Sequence, residues 1–132
     1  MKLLLDSHVL LWWWCCPQLL SPRVRQHLAD PEQLVLVSVA SLWELSSAEQ
    51  ARKLPELTPV IWQLPELIKQ EGFELLPITA RHSLLAGQWR SAAHSRPPDP
   101  VGSLLLAQAQ IENLTLVSHD PALHDRSVRT LW

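Results

Sequence analysis

Five short, mostly apolar runs punctuate the chain: Leu3 to Leu5, Val35 to Val37, Glu74 to Leu76, Leu114 to Val117 and Val128 to Leu131. Runs this short, rich in Leu and Val and separated by longer helix-like stretches, predict β-strands. Their lack of regular polar alternation points to strands covered on both faces, as in a parallel sheet packed between helices. About thirty residues separate the first two runs, enough for a crossover that carries one or two helices. His8 to Trp14 and Pro22 to Ala29 are the helices expected there. Val39 to Lys53, Ile61 to Glu71, Ala80 to Trp89 and Ser103 to Glu112 supply the others. The pattern predicts an α/β fold of three layers, α/β/α, around a central parallel sheet.

Proline punctuation refines this outline. Pro55, Pro59 and Pro65 break the middle of the chain into short segments, and Arg96-Pro97-Pro98-Asp99-Pro100 makes a stiff irregular loop. No internal repeat or long linker is visible, so residues 1–132 are expected to form a single domain of 15.0 kDa. With 47% apolar and 18% charged residues, the chain is not of the disordered class. Eleven basic against thirteen acidic residues give a net charge of −2, and no basic nucleic-acid-binding stripe stands out. A local patch or a bound metal can still recruit a nucleic acid.

Compartment follows from the cysteines and the first residues. Cys15 and Cys16 are adjacent, which disfavours a disulfide between them, and no zinc-type spacing is present. They are expected as small buried apolar residues. The N-terminal apolar stretch is interrupted by Asp6 and His8 and is too short to span a bilayer. No small-residue cleavage site follows it. The expectation is a cytoplasmic protein without a membrane anchor.

Ligand sites in open parallel sheets form beyond the carboxyl ends of the strands. Asp6 directly follows the first run, and Asp120 stands three residues after Val117. Glu44 lies about two turns into the helix after the second run, and Asp99 precedes the helix Ser103 to Glu112. Two carboxylates about 5 Å apart repel by roughly 3 kcal/mol at an effective dielectric of about 20. A divalent cation relieves that repulsion, and oxygen-only ligands favour Mg²⁺ or Mn²⁺ over zinc. A metal so held can activate water for attack on a phosphodiester.

Each acid also has a structural alternative. Asp99-Pro100 and Asp120-Pro121 have the form of a helix N-cap followed by Pro at the first helical position. Asp30-Pro31 has the same form with no site attached. Ser41-Leu42-Trp43-Glu44 fits a capping box, which would occupy Glu44 structurally. Asp6 is explained least well this way, because a carboxylate directly after an apolar strand has little reason to be buried.

Four segments, MKLLLDSHVLLWW, VSVASLWEL, DPVGSLLLAQA and LTLVSHDPAL, together resemble the PIN-domain toxins of the VapC type. The resemblance runs from Met1 to Trp132, with the motifs in order and suitably spaced. It implies a PIN-like domain and a metal-dependent endoribonuclease, restrained by a small VapB-type antitoxin and commonly a homodimer. By position, Asp6, Glu44 and Asp120 would be the catalytic and metal-binding acids. Ser118 would help set Asp120, and Ser7 would be the small polar neighbour of Asp6. Mg²⁺, or Mn²⁺ in its place, would be the cofactor and RNA the substrate.

One position departs from the pattern. The family reads D-P-F-D-R where this chain has Asp99-Pro100-Val101-Gly102-Ser103, so the second aspartate is Gly102 and the arginine is Ser103. The basic residue often found one turn after the second acid is Ala48. If Pro100 opens the helix, Asp99 is its N-cap and Gly102 its third residue. Those positions face each other, so Asp99 is a candidate fourth metal ligand in place of the missing acid. The expectation is a nuclease weakened at Gly102. Its rival is an impaired PIN-domain protein that binds antitoxin or RNA without cleavage.

Other signals carry less. Trp12-Trp13-Trp14 has the composition of a base-stacking platform, but packing of the first helix against the sheet accounts for it more simply. Trp43 is expected in the core. The six histidines lack paired ligand spacing for zinc. His119, between Ser118 and Asp120, and Arg81, Arg90 and Arg96 are candidate phosphate contacts. A haloacid-dehalogenase-type phosphoryl-transfer enzyme needs a second Asp where His8 stands. A receiver domain needs an acidic pair before the first site Asp.

Overall fold

Leu3, Leu4 and Leu5 are fully buried, and that one fact organises the domain. The computed structural model describes residues 1–91, 99–124 and 127–132. Five strands form its sheet: β1 (Lys2–Leu5), β2 (Leu34–Ser38), β3 (Glu74–Leu76), β4 (Thr115–Val117) and β5 (Thr130–Leu131). Their order is β3-β2-β1-β4-β5, and all neighbours pair in parallel. All five apolar runs of the sequence become strands.

Alternation along the central strand divides the core. Leu3 and Leu5 join Val35, Val37 and Val117 on one face, under α1 (Ser7–Cys15), α2 (Pro22–Ala29) and α4 (Leu64–Gln70). Leu4, Leu36 and Leu116 point to the other face, where α6 (Pro100–Ile111) supplies Val101, Leu105 and Leu106. Between them in sequence lie α3 (Val39–Gln50), which contributes Ala40 to one cluster and Leu45 to the other, and α5 (Ala80–Ser91). This is the expected three-layer arrangement.

Caps set most helix starts. Ser21 Oγ accepts from Val24 N at 3.1 Å ahead of Pro22, and Ser38 Oγ accepts from Ala40 N at 3.0 Å. Helix α3 therefore begins at Val39, and Ser41-to-Glu44 is not its capping box. It ends at Gln50 rather than Lys53 because Arg52 turns left-handed, with φ 61°. The segment expected as one helix from Ile61 divides into a 3₁₀ turn, Ile61–Gln63, and α4, which has Pro65 in its first turn. Asp30-Pro31 opens a turn: Asp30 Oδ1 accepts from Glu32 N at 2.9 Å.

Helices α5 and α6 are tied together through a buried histidine. His82 Nδ1 accepts from Thr79 N at 2.9 Å, so the ring proton sits on Nε2, which donates to Glu112 Oε2 at 2.9 Å. Gln108 Nε2 adds a bond to the Pro77 carbonyl at 3.2 Å. His82 thus has a structural role.

Two expectations change. Trp43 is 65% exposed, because the buried side of α3 runs through Ala40, Ser41 and Leu45 and leaves position 43 outside it. Cys15 is exposed and Cys16 half-buried, both as free thiols, because they lie at and beyond the end of α1. Trp13 and Trp14 pack against the core as expected, and their indole N–H groups donate to the two oxygens of Glu71 at 3.2 and 3.1 Å. His94, Arg96 and the Arg90 side chain lie outside the described residues. Among the described residues no helix is long and apolar enough to cross a membrane.

Candidate active site

The strand order reverses direction at β1, where the crossover to β2 goes one way and β4 pairs on the other side. A crevice forms at the carboxyl ends of strands at such a point. The register Leu5↔Val117 puts the next residues, Asp6 and Ser118, side by side. The ladder continues one step further, with Asp6 N donating to the Val117 carbonyl at 3.0 Å.

Ser118 connects two acids. Its hydroxyl donates to Asp6 Oδ2 at 2.8 Å and accepts from Asp120 N at 3.0 Å. It is fully buried, and its own carbonyl accepts from His124 Nε2 at 2.9 Å. Asp6 caps α1, with Oδ1 accepting from Ser7 N at 2.7 Å. A buried carboxylate thus holds one hydrogen bond on each oxygen and keeps lone pairs for a further partner.

The electrostatics follow from this burial. Desolvation pushes the Asp6 carboxyl above its ordinary 3.8, and the Asp120 charge adds to the rise. The Ser118 and Ser7 bonds and the nearby His8 oppose it. Glu44, half-buried on α3, is also pushed up, chiefly by desolvation and then by the charges of Asp99 and Asp6. The Ser7 hydroxyl lies near enough to favour the Glu44 carboxylate, although it makes no hydrogen bond of good geometry.

Asp99 and Asp120 both take the cap positions that their Asp-Pro pairs suggest. Asp99 Oδ1 accepts from Gly102 N at 2.6 Å, and Asp120 Oδ1 accepts from Ala122 N at 3.0 Å ahead of a 3₁₀ turn, Pro121–Leu123. Both are exposed, in contrast to Asp6. Gly102 is the third residue of α6 and has no carboxylate to add.

Asp120 thus acts on Asp6, and Asp99 and Asp6 act on Glu44, but among the described residues no three acid, histidine or cysteine side chains close into a ready metal cage. The donor set is all carboxylate, which suits a hard divalent ion. Buried hydroxyls without a protein partner lie on the same elements: Ser7 beside Asp6, Ser41 one turn before Glu44 and Ser103 one turn after Asp99. Such groups can hold water around an ion.

The site opens into a cleft of about 390 Å³ lined by Asp6, His8, Val9, Trp12, His119 and Asp120, with Pro121 at its edge. Sequence reasoning did not foresee the ring contacts here. His119 stacks on Trp132 with centroids 4.8 Å apart, Trp132 meets Trp12 edge-on at 6.0 Å, and Trp12 lies 5.9 Å from His8. No local pattern could reveal a contact between residues 12 and 132. A second groove, of about 350 Å³ between α3 and α4, is mainly apolar and has Trp43 and Trp62 at its margin.

The sequence pattern of the PIN domain family matches residues 3–128. The chain is 31% identical over 136 aligned positions to Ribonuclease VapC22 of Mycobacterium tuberculosis, covering 98% of this chain and 97% of that protein. Its fold resembles VapBC2 from Rickettsia felis, solved with a promoter DNA fragment, at a TM-score of 0.74 and 15% identity, over 99% of this chain and 98% of that one. DNA-bound VapBC from Salmonella typhimurium gives a TM-score of 0.73 at 17% identity, over 99% and 97% of the two chains. Five parallel strands in this order, an acid at the tip of β1 and a near full-length match lead to one conclusion: the chain belongs to the PIN domain family.

Proposed function

We propose that this protein is a metal-dependent endoribonuclease toxin of a VapBC-type toxin–antitoxin system, with activity lowered by Gly102. The observation that carries the reading is the Ser118 hydroxyl, buried between Asp6 and Asp120 at the switch point and bonded toward both. The likeness to a protein named a ribonuclease supports the reaction class.

Asp6, Glu44 and Asp120 would hold Mg²⁺ or Mn²⁺, with Asp99 as a fourth candidate ligand. When bound, the ion supplies charge stabilisation and an activated water. Ser118 fixes the Asp6 side chain and the Asp120 backbone, and Ser7 lies beside Glu44. The Asp6 and Glu44 carboxyls are raised chiefly by desolvation and to a smaller extent by neighbouring acids, and a bound cation would favour their charged forms.

A VapB-type antitoxin is the proposed restraint. The exposed indoles of Trp43 and Trp62 support a partner-binding surface. We place the protein in the cytoplasm, as a single domain that pairs with a second copy.

The rival reading, an impaired relative that binds antitoxin or RNA without cutting, draws on Gly102 and on the use of one Asp99 oxygen as a helix cap. The test is cleavage of structured RNAs with and without Mg²⁺ or Mn²⁺, comparing wild type with Asp6→Asn and Gly102→Asp. We expect metal-dependent cutting that is lost in Asp6→Asn and raised in Gly102→Asp. Cleavage insensitive to Asp6→Asn would falsify the acidic-site reading. No cleavage by wild type together with a gain in Gly102→Asp would favour the impaired relative.

A further inference from the structure

The aromatic side of the cleft has no part in the chemistry described so far. His8, Trp12, Trp132 and His119 form a continuous row of rings, each touching the next, from α1 to the segment after β4. Trp12 and Trp132 root this row against the apolar core, while the His8 and His119 rings are exposed at its two ends. Three of the four line the cleft alongside Asp6 and Asp120. Among the described residues neither exposed imidazole is tied by a hydrogen bond.

Charge makes the row informative. None of the described residues lining the cleft is Lys or Arg, and two are aspartates. Without a bound cation, the described lining offers a phosphate no Lys or Arg to anchor it. A flat π-face is attracted to exposed rings whatever the local charge, and stacking on aromatic side chains is how unpaired bases are held without a basic groove. Bases inside a duplex are not available for such contact.

We infer that His8, Trp12 and His119, backed by Trp132, form a nucleobase subsite that stacks an unpaired base of single-stranded RNA beside the acidic site. This rests on the ribonuclease reading and adds to it a surface of named rings that holds a base beside the acids. The subsite selects for an accessible base face and not for base identity.

The test uses the full chain in EDTA, so that binding is read apart from cleavage. Fluorescence anisotropy would compare a short labelled single-stranded RNA, its duplex, and an oligomer of the same length carrying abasic positions. Wild type should bind the single strand best. His119→Ala, at an exposed ring, and Trp12→Leu should each weaken single-strand binding by roughly five- to a hundred-and-fifty-fold, the usual effect of removing one stacking partner. Both should leave abasic binding unchanged, and Trp12→Phe should retain most of the affinity.

Single-strand binding unmoved by both substitutions overturns the subsite, as does an equal loss on the abasic oligomer. If wild type cleaves RNA with metal under either of those outcomes, the ribonuclease reading stands without the subsite. If wild type neither binds nor cleaves any RNA, both are overturned.

Discussion

The two sides of the acidic site are built in different ways. On the sheet side, Asp6 and Ser118 are fixed by the register of two central parallel strands, and both are buried. On the α6 side, Asp99 is exposed and spends one oxygen on capping its own helix, next to a glycine. A position set by strand register cannot shift without disturbing the core on both faces. A helix cap can lose or change its side chain at a cost of about 1 kcal/mol. The departure from the family pattern falls on the second kind of position.

The largest test of this contrast is Asp6→Asn. We expect about a thousandfold loss of metal-dependent cleavage, the scale of several kcal/mol of charge stabilisation. Stability should move the opposite way. The raised Asp6 pKa means that the folded protein holds this proton more tightly than the unfolded chain does. As pH rises above 3.8 the unfolded chain ionises first, and stability falls until the folded carboxyl ionises too. Asp6→Asn removes that loss, so its Tm in EDTA should exceed that of wild type, with the gap opening as pH rises from about 4. A gap that instead closes with rising pH refutes the burial argument.

Ser118→Ala comes next. It leaves Asp6 Oδ2 and Asp120 N without their shared partner, a hydrogen bond to a charged group worth about 1.5–3 kcal/mol. Melting curves should show that loss, and cleavage should drop about tenfold to a hundredfold as the acids lose their alignment. Unchanged activity would mean that the hydroxyl only stabilises the fold.

On the other side of the site, Gly102→Asp should raise metal-dependent cleavage by about tenfold, the effect of restoring one group around a metal. It should also increase the rise in Tm produced by Mg²⁺. Equal cleavage and equal thermal shifts in the two proteins would show that residue 102 does not limit the site.

The smallest effects separate the two roles of Asp99. Asp99→Ala should cost about 1 kcal/mol through the lost cap, whereas Asp99→Asn keeps the cap and should be nearly neutral in stability. If Asp99→Asn alone lowers the Mg²⁺-induced shift in Tm, Asp99 is compensating for Gly102. If only Asp99→Ala changes anything, it is a cap.

Legibility in the sequence followed the range of the interactions. The strands were readable because Leu3–Leu5 and Val35–Val37 leave no polar face, which only a doubly covered strand permits. Asp6 and Ser118 were accessible to sequence reasoning because each directly follows a strand. The bond between them needed the register. The exposure of Trp43 is not legible locally even though the start of α3 at Val39 is, because only the packing partners of α3 decide that Ala40, Ser41 and Leu45 form its buried side. Glu71 gave no local sign that it would receive two indole N–H groups from α1. The Trp12–Trp132 contact joins opposite ends of the chain and has no local signature at all.

The cap bond to residue 102 uses only its backbone N–H. A residue with a side chain still has the N–H that this bond needs, and only proline lacks it. Every glycine codon becomes a codon for aspartate or glutamate when its middle G changes to A. A carboxylate at position 102 is thus a single base change away, in a helix whose start is already capped by Asp99. If Gly102 weakens the site as proposed, a population under selection for stronger cleavage has a one-step route at this codon.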